Sequence, residues 1–347
     1  MEEIRSNHGV NPYEQQYQQL NGTVMNKIKT SIALATCNGE RYLGDLLDSL
    51  CSQTAEPFEL VVCDDCSTDS TLQLLNDFKR TAPFNVNILV NTKRLGVIHN
   101  FERALSACSG EYLALCDQDD VWKPNKLEKL ATLVKQLEME SGHGPYFVHT
   151  DVDLVDKELN KMGASFLEHQ GLKPVDRNQY KTLVVQNYIP GCSTLFSRDL
   201  LEHALPIPEA AVMHDWWLAL IASIAGIIRY DPSKTVLYRQ HEDNQLGSQS
   251  RFSMGTLRKV VAIKPALDII EENFTASAKQ AIAATTRLSA NNVAIPDSIS
   301  SYIDSLKTSK PKSLISVITG KIGRANFLRN ATLLAAILLY DRKSLRD

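Results

Sequence analysis

A cluster of carboxylates in the run Asp117–Asp120 has the clearest chemical meaning in this 347-residue sequence. Three carboxylates so close together repel one another unless a cation lies among them. Oxygen-rich sites suit Mg²⁺ or Mn²⁺, and Mg²⁺ commonly binds one or two carboxylates together with substrate phosphates. The alternative is a helix N-cap with an acidic first turn. We favour the metal, because the segment Tyr112–Cys116 predicts a buried strand that delivers the cluster to a ligand-binding edge.

A second acidic pair, Asp64 and Asp65, follows another predicted strand. A carboxylate there could accept hydrogen bonds from a ribose hydroxyl or from the imide N–H of uracil or thymine. A turn that caps the next helix explains the run Asp64–Asp69 equally well. The sequence has neither G-x-G-x-x-G nor G-x-x-x-x-G-K-[ST], which disfavours a dinucleotide oxidoreductase and a P-loop kinase.

The run His214–Trp217 places a carboxylate, Asp215, beside two tryptophans at the start of a predicted helix. Adjacent side chains point to different sides of a helix, so we do not expect both tryptophans deep in the core. One of them could form an apolar wall for the C–H face of a sugar. Such a wall would raise the pKa of Asp215 by desolvation and make it a better base. A helix cap next to core residues is the more common arrangement, and it stays open.

A polar loop, Arg239–Gly247, follows an apolar strand near the middle of the chain. Its residue His241 could ligate a metal or bind phosphate. A solvent-exposed loop without a ligand is the simpler interpretation at this stage.

These polar groups need elements that bring them together, and the first half of the chain predicts them. Four apolar runs alternate with helical patterns and predict strands at Ser31–Ala35, Phe58–Cys63, Val86–Val90 and Glu111–Cys116. Such alternation predicts an α/β protein with a doubly wound, mostly parallel sheet and helices on both faces. Ligands bind outside the carboxyl ends of the strands in such sheets, where the acidic runs fall.

The second half is less regular. A helix is predicted from His214 to about Ala225, and strands are predicted at Tyr146–Thr150, Ser193–Phe196, Gly226–Tyr230 and Thr235–Tyr238. From about Phe252 onward the pattern is helical. We therefore predict a flexible leader (1–27), a catalytic domain (28–250) and a helical C-terminal region (251–347).

Composition limits the partners. The formal net charge is -3, so no basic excess is present to neutralise a nucleic acid backbone. The first residues are polar and do not resemble a signal peptide, and the seven cysteines are most simply reduced thiols of a cytoplasmic protein. Cys63 and Cys66 form a C-x-x-C, but no second pair follows at zinc spacing.

The motifs in this order resemble those of the family 2 glycosyltransferases, which have the GT-A fold, over residues 29–247. Ala35–Glu40, A-T-C-N-G-E, resembles the family's first nucleotide loop, often A-T-Y-N-G-E, with Cys37 in place of tyrosine. Val62–Asp69 resembles the V-D-D-G-S-T-D motif, with Cys66 where glycine is usual.

Four later segments continue the resemblance. Asn91–Leu105 is similar to the segment that leads into the D-x-D strand. Asp117–Trp122, D-Q-D-D-V-W, looks most like the D-x-D region of bacterial rhamnosyltransferase-type members. Pro190–Ser193 and His214–Trp217 look like their acceptor-side motifs, and the run Gln240–Asn244 resembles the Q-H-x-x-N that closes the domain.

The resemblance implies a metal-dependent transfer of a sugar from a nucleotide donor, with inversion by single displacement. It implies Asp215 as the base and Mg²⁺ or Mn²⁺ held by Asp119 and His241. It places the acceptor at Gly191, Cys192, Trp216 and Trp217. It places the nucleotide at Ala35, Thr36, Asn38, Glu40, Asp64, Asp65, Arg94, Asn100, Asp117 and Gln118.

The same resemblance suggests the partners. The expected donor is a dTDP- or UDP-sugar, with dTDP-rhamnose first, and the expected acceptor is a glycan or a lipid-linked saccharide of cell-surface polysaccharide synthesis. One alternative is a nucleotidyltransferase or sugar-nucleotide pyrophosphorylase, which would want a glycine-rich basic loop where this chain offers only Gly39 and Arg41. The other is a non-catalytic sugar- or lipid-binding protein, against which Asp119 and Asp215 argue.

The C-terminal region has an uneven charge. No acidic residue lies between Asp304 and Asp341, whereas six basic ones are interleaved with apolar residues there. Basic groups beside an apolar face suit a helix lying on an anionic membrane surface, so we predict peripheral contact with the inner face of the plasma membrane. The alternatives are packing on the catalytic domain or on the second subunit of a homodimer. The longest apolar run, Ala331–Tyr340, is too short to span a bilayer.

Overall fold

The computed structural model describes residues 28–142, 144–175, 177–241 and 263–345. The predicted leader, the loop after His241 and the start of the predicted C-terminal region lie outside these residues. Within them the strands form a single sheet with the order β3-β2-β1-β4-β8-β6-β9-β5, and β7 pairs with β6. The strands are β1 Thr30–Thr36, β2 Glu59–Asp64, β3 Asn85–Val90, β4 Tyr112–Asp117, β5 Val121–Trp122, β6 Tyr146–Val155, β7 Lys161–Ser165, β8 Thr194–Ser197 and β9 Ile227–Arg239.

The predicted parallel half is confirmed to within about a residue at each strand end. β1 lies between β2 and β4 and is parallel to both. Its register pairs Ala35 with Cys63 on one side and with Asp117 on the other, so the three strands end at one level. Three polar turns therefore leave the sheet side by side, as the general rule for such sheets requires.

Helices cover both faces of the sheet, as predicted. The side chains of β1 alternate between two hydrophobic clusters, with Ala33 in one and Ile32 and Leu34 in the other. Three helices pack in the cluster of Ile32: α1 Leu43–Cys51, α2 Thr71–Thr81 and α4 Lys126–Ser141. The cluster of Ala33 takes α3 Val97–Ala107, the short helices α5 Phe166–Gln170, α6 Tyr180–Leu183 and α7 Leu200–Ala204, and α8 His214–Ala225.

The second half of the sheet differs in detail from the sequence prediction. The two strands predicted after α8 are one strand, β9, because both of its parts pair with β6, on either side of an irregularity between Tyr230 and Lys234. β6 runs on to Val155, since its charged residues Asp151 and Asp153 are buried and paired. The two-residue β5 and the exposed β7 carry too little apolar pattern for sequence analysis to find.

The C-terminal region is helical where it is described, with α9 Ile263–Ala290, α10 Asp297–Thr308, α11 Lys310–Ile318 and α12 Phe327–Leu339. Buried residues of α9, α10 and α12 belong to the same hydrophobic cluster as those of α8. The packing on the catalytic domain that sequence analysis left as an alternative is therefore observed. None of the described helices combines the length and the apolar character that a membrane crossing requires.

Candidate functional site

A cavity of about 770 Å³ opens at the carboxyl ends of β1 and β4. Its wall on one side is the turn after β1 and the start of α3. On the other side it is formed by residues 186–192, the start of α8 and one side chain of α12. It brings together most of the side chains proposed for chemistry, namely Ala35, Thr36, Asn38, Asp65, Arg94, Asn100, Asp117, Gln118, Asp119, Gly191, Cys192, Asp215, Trp216 and His241.

The turn after β1 is fixed by Gln118. The side-chain amide of Gln118 accepts from Cys37 N at 2.8 Å and donates to Cys37 O at 3.1 Å. Gly39 lies directly against it, and a Cβ at this position would come within 2.4 Å of Gln118 Oε1. Gln118 thus holds the turn after β1, and Gly39 leaves the space for it.

The same turn is bonded to the turn after β2. Asn38, in the left-handed region with a φ of 50°, accepts from Thr68 N at 2.8 Å. Glu40 accepts from Ser70 N at 2.8 Å, and its side chain is not part of the cavity wall. The carboxylate of Glu40 is thus directed to the neighbouring turn, and its contact with a nucleotide stays a prediction.

The two adjacent carboxylates after β2 have different surroundings. Asp64 is fully buried and accepts from the hydroxyls of Thr36 and Ser67, so it stabilises the turn and does not reach the cavity. Asp65 lines the cavity. Its Oδ1 accepts from Leu95 N at 2.7 Å and its Oδ2 from Gly96 N at 2.9 Å.

These bonds set the charge of Asp65. Burial opposes ionisation, but the hydrogen bonds from Leu95, Asn91 and Gly96 outweigh it and lower the pKa of Asp65. A carboxylate can accept about four hydrogen bonds, so acceptor capacity remains on Oδ2 for a base or a ribose. Asn100, in contrast, uses its amide within the protein, donating to Cys63 O at 2.8 Å.

The predicted metal residues lie side by side. His241 Nε2 is 2.8 Å from Asp119 Oδ2, and both side chains line the cavity although they are largely buried. His241 Nδ1 is buried without a partner among the described residues. Burial, then the charges of Asp119 and Asp215, raise the pKa of Asp117 to about 7. A divalent cation would relieve this repulsion, and the carboxylate of Asp119 is the type of ligand that suits Mg²⁺ or Mn²⁺.

A deeper group of possible ligands consists of Asp117, Asp120 and Cys192. Burial raises the pKa of the Cys192 thiol and of Asp120 well above their usual values, so both favour their neutral forms. A protonated thiol is a poor ligand for Mg²⁺ or Mn²⁺. Lys126 Nζ lies 2.6 Å from Cys192 O, and burial lowers the pKa of this lysine to about 7. The cavity-facing pair, Asp119 and His241, is therefore the better candidate for holding a metal.

Arg239, at the end of β9, holds this pair in place. Its guanidinium donates to Asp119 O at 2.9 Å and to Asp45 Oδ2 at 2.8 Å. It also lies over the ring of Tyr42, which in turn packs against His241 with ring centroids 4.8 Å apart. Sequence analysis placed Arg239 only at the edge of a polar loop, because nothing in the sequence pairs it with residues 120 positions earlier.

Asp215 lies in the first turn of α8 and faces the cavity. Burial raises its pKa to about 6, and hydrogen bonds from the backbone N–H groups of Trp216 and Gly191 partly oppose the shift. The bond from Gly191 N to Asp215 Oδ2 is 3.1 Å. A Cβ on Gly191 would come within 3.0 Å of the Asp215 Cβ, so this glycine makes room for the carboxylate.

The expectation that the two tryptophans could not both lie in the core was wrong. Trp217 is fully buried and donates its indole N–H to Ala204 O at 2.8 Å. It does not line the cavity, so its expected acceptor role is not supported by its position. Trp216 is nearly as buried and donates to Leu183 O at 2.6 Å, but part of it forms the cavity wall. Both fit because the C-terminal helices cover the face of α8 that would otherwise meet solvent.

Arg329 is among the lining residues that sequence analysis did not anticipate as site residues. Arg329, in the first turn of α12, reaches the cavity and donates to Gln170 O at 2.6 Å. No carboxylate of the described residues pairs with it. Burial lowers the pKa of its guanidinium. The sequence shows only a basic residue among apolar ones, and the contact between the start of α12 and the end of α5 that places Arg329 at the cavity has no local signal.

Comparisons with known proteins agree with this geometry. Residues 31–205 match the family described as Glycosyl transferase family 2. An uncharacterized protein of Mycobacterium tuberculosis is 30% identical over 218 residues, which are 61% of this chain and 58% of that protein. The dTDP-rhamnosyl transferase RfbG of Shigella flexneri is 28% identical, over 63% of this chain and 75% of that one. The mycobacterial match thus spans less than two thirds of that relative's length.

A solved structure shows the same fold. The crystal structure of Staphylococcus aureus TarS residues 1–349 in complex with UDP superposes with a TM-score of 0.52 at 17% sequence identity. The superposition covers 92% of this chain and 90% of that one, so it includes the C-terminal helices as well as the sheet.

Proposed function

Because the chain belongs to glycosyltransferase family 2, we propose that it transfers a sugar from a nucleotide-diphosphate donor to a saccharide hydroxyl with inversion. One observation carries this proposal: Asp65, the Asp119–His241 pair and Asp215 line one cavity. Asp65 offers hydrogen-bond acceptor atoms to the nucleotide, the Asp119–His241 pair offers a place for a cation, and Asp215 offers a base for the reaction. A pyrophosphorylase would have no use for a buried base at the far wall.

Different residues of this chain would carry out different parts of the reaction. The acceptor hydroxyl oxygen forms a bond to the anomeric carbon, its proton passes to an Asp215 carboxylate oxygen, and the bond from that carbon to the diphosphate oxygen breaks. The raised pKa of Asp215, about 6, makes it a stronger base than an exposed aspartate. Asp119 and His241 would hold Mg²⁺ or Mn²⁺, which would supply Lewis-acid stabilisation of the leaving diphosphate.

For the donor we propose a dTDP-sugar, with dTDP-rhamnose first and UDP-hexoses second. The D-Q-D-D-V-W motif and the similarity to a protein named dTDP-rhamnosyl transferase support the first choice. The TarS crystal that contains UDP is the reason for keeping the second. Asp65 would accept from the imide N–H that thymine and uracil share, so it does not separate them.

For the acceptor we propose a saccharide of cell-surface polysaccharide synthesis, free or lipid-linked, handled at the cytoplasmic face of the membrane. The acceptor would enter between Gly191, Trp216 and Arg329, because these residues line the wall that carries Asp215. Arg329 would suit an anionic group on this acceptor, since it has no carboxylate partner among the residues described.

A donor-hydrolysis screen tests the proposal. The protein is incubated with dTDP-rhamnose and with UDP- and GDP-sugars, with Mn²⁺ or with EDTA, and nucleoside diphosphate release is measured. We expect release from one donor class only with the cation, and Asp119→Ala should abolish it. Asp215→Asn should keep donor binding but lower transfer by roughly 10²–10⁴-fold. Undiminished activity in EDTA would contradict the role of the metal. Release of pyrophosphate from a nucleoside triphosphate and a sugar phosphate would show that the protein is a nucleotidyltransferase instead of a glycosyltransferase.

A further inference from the structure

The hairpin of α11 and α12 exposes an apolar surface, which we call the C-terminal apolar face. Phe327 is 84% exposed and Ile318 is 71% exposed, which is unusual for side chains of this size. Monomeric proteins rarely leave such large apolar groups together on one side without a partner. The face consists of Ile315, Ile318, Phe327, Leu328, Leu338 and Leu339.

This face is the outer side of two well-packed helices. Lys310, at the start of α11, donates to Leu338 O at 2.7 Å near the end of α12, so the helices are antiparallel neighbours. Val317 of α11 and Leu333 and Ile337 of α12 are buried on the opposite side. Each helix therefore already buries one apolar side in the core, and its exposed apolar residues form a second apolar side that the core does not need.

The segment of α11 and α12 itself carries only positive charge, although Asp341, directly after it, donates its N–H to Glu271 of α9 at the far end of α12. Residues 305–340 contain six basic and no acidic side chains, whereas the whole chain has a net charge of -3, so the rest of the chain carries -9. Lys312 and Lys321 of this segment are exposed. An anionic surface complements this arrangement. A second copy of the chain placed face to face would bring the same lysines against each other, which is unfavourable.

We propose that the C-terminal apolar face docks on an anionic lipid surface, with α11 and α12 lying in the plane of the interface. Phe327 and Leu328 would enter the boundary between headgroups and acyl chains, and Lys312 and Lys321 would contact the headgroups. The short, amphipathic helices are suited to lying on a bilayer, not to crossing it.

Docking in this way would also orient the active site. Arg329 follows Phe327 and Leu328 directly and lines the catalytic cavity, so the acceptor wall begins within one helical turn of the docking surface. A saccharide whose lipid stays in the bilayer and whose phosphate meets Arg329 is the substrate class that fits. This last step rests on the proposed glycosyl transfer, whereas the docking itself does not.

Vesicle co-sedimentation of the full chain tests the docking. Vesicles of phosphatidylcholine alone are compared with vesicles that also contain phosphatidylglycerol, each at low and at high salt. We expect binding to the anionic vesicles that weakens with salt. The double variant Phe327→Ser with Leu328→Ser should lower the bound-to-free ratio at least roughly tenfold, because two inserted side chains are lost.

Matched controls exclude unrelated effects. Met139→Ser with Met162→Ser removes apolar groups that are 61% and 56% exposed elsewhere, and it should bind vesicles like the parent. Lys312→Glu with Lys321→Glu should lose the salt-sensitive part of binding, whereas Lys79→Glu, an exposed lysine on α2, should keep it. All these positions are exposed, so folding should not change.

Two results would overturn the docking. One is equal, negligible binding of the parent and the Phe327/Leu328 variant to both vesicle types. The other is a parent dimer in sedimentation velocity that this variant converts to a monomer, which would make the face a subunit interface. Donor hydrolysis, measured on the same variants without vesicles, should stay unchanged. A chain that binds vesicles but transfers no sugar would therefore contradict only the proposed function.

Discussion

At the scale of single residues, the proposed reaction depends on the ionisation of Asp215. Its pKa is raised to about 6 because it is buried in the cavity wall. Only the deprotonated form can take the acceptor proton. We predict that kcat/KM for the acceptor, at saturating donor and metal, rises with pH up to about 6 and then levels off. A profile that stays flat between pH of about 4.5 and 8 would contradict a base at this position.

Arg329 gives a second prediction at this scale. Arg329→Gln keeps a side chain that can donate to Gln170 O but removes the charge. If the acceptor carries a phosphate or a carboxylate, kcat/KM for it should fall by roughly tenfold or more, while donor hydrolysis stays unchanged. Phosphorylated and uronate acceptors, compared with neutral ones, separate the two anions. A change in donor KM instead would place Arg329 at the diphosphate.

A sequence motif shows which residues belong to a site, but it does not show in which direction each side chain points. Asp119 and His241 were named from their motifs, and they lie together because both follow strands that end at the cavity. Spacing alone could not show that Asp64 turns into the protein while Asp65 faces the cavity. Trp217 was misjudged because the helices that cover it come later in the chain.

At the scale of elements, the tight turn Gly191–Ser193 holds the base against the start of α8. Gly191→Ala would place a Cβ within 3.0 Å of the Asp215 Cβ and shift the carboxylate. We predict that kcat falls by roughly 10- to 100-fold while donor KM is unaffected, because a displacement well below 1 Å already disturbs proton transfer. Gly163→Ala in β7, away from the cavity, serves as a control for general destabilisation of the sheet. Loss of donor binding in Gly191→Ala would show that the turn also shapes the nucleotide half.

Strands with a clear apolar pattern were predicted from the sequence, whereas strands that depend on long-range pairing were not. β1 to β4 are continuous apolar runs with polar ends, and they were placed almost correctly. β9 was divided in two because Asp231, Pro232 and Ser233 indicate a break, and the pairing with β6 is indeed irregular there, but it resumes at Lys234 and makes one strand of the two parts. Long-range pairing of this kind leaves no local signal.

At the scale of the whole molecule, the acidic cluster links stability to pH and to metal. The pKa of Asp117 is raised to about 7 in the folded protein, so the folded state holds a proton that the unfolded state has released. This contribution is complete below the unfolded pKa and is lost as the pH rises through about 7. A bound cation should offset the loss.

We therefore predict that Mn²⁺ raises the melting temperature more at about pH 8 than at about pH 5.5, because protons and the cation compete for the cluster. Differential scanning fluorimetry of the parent and of Asp119→Ala measures this. An equal shift at both pH values, or an undiminished shift in the variant, would place the cation elsewhere.

The C-terminal helices pack in the same hydrophobic core as α8, and this limits the use of truncated variants. Phe274, Leu333 and Tyr340 are fully buried in the same cluster as Trp217. Removing the last helices would expose α8 and disturb Asp215, so truncation would not separate membrane contact from folding. Point changes on the exposed face do separate them.

The hydrogen bonds between the turns after β1 and β2 have a consequence for how such an enzyme diversifies. Asn38 with Thr68 and Glu40 with Ser70 hold the two turns together by hydrogen bonds within the chain. The half of the cavity that we propose for the nucleotide therefore does not need the opposite wall to keep these two turns in place. Mutation can alter the wall around residues 166–191 and Arg329 while the donor half persists. A library restricted to that wall should yield variants with new acceptors and the parental donor, so the two specificities can evolve one at a time.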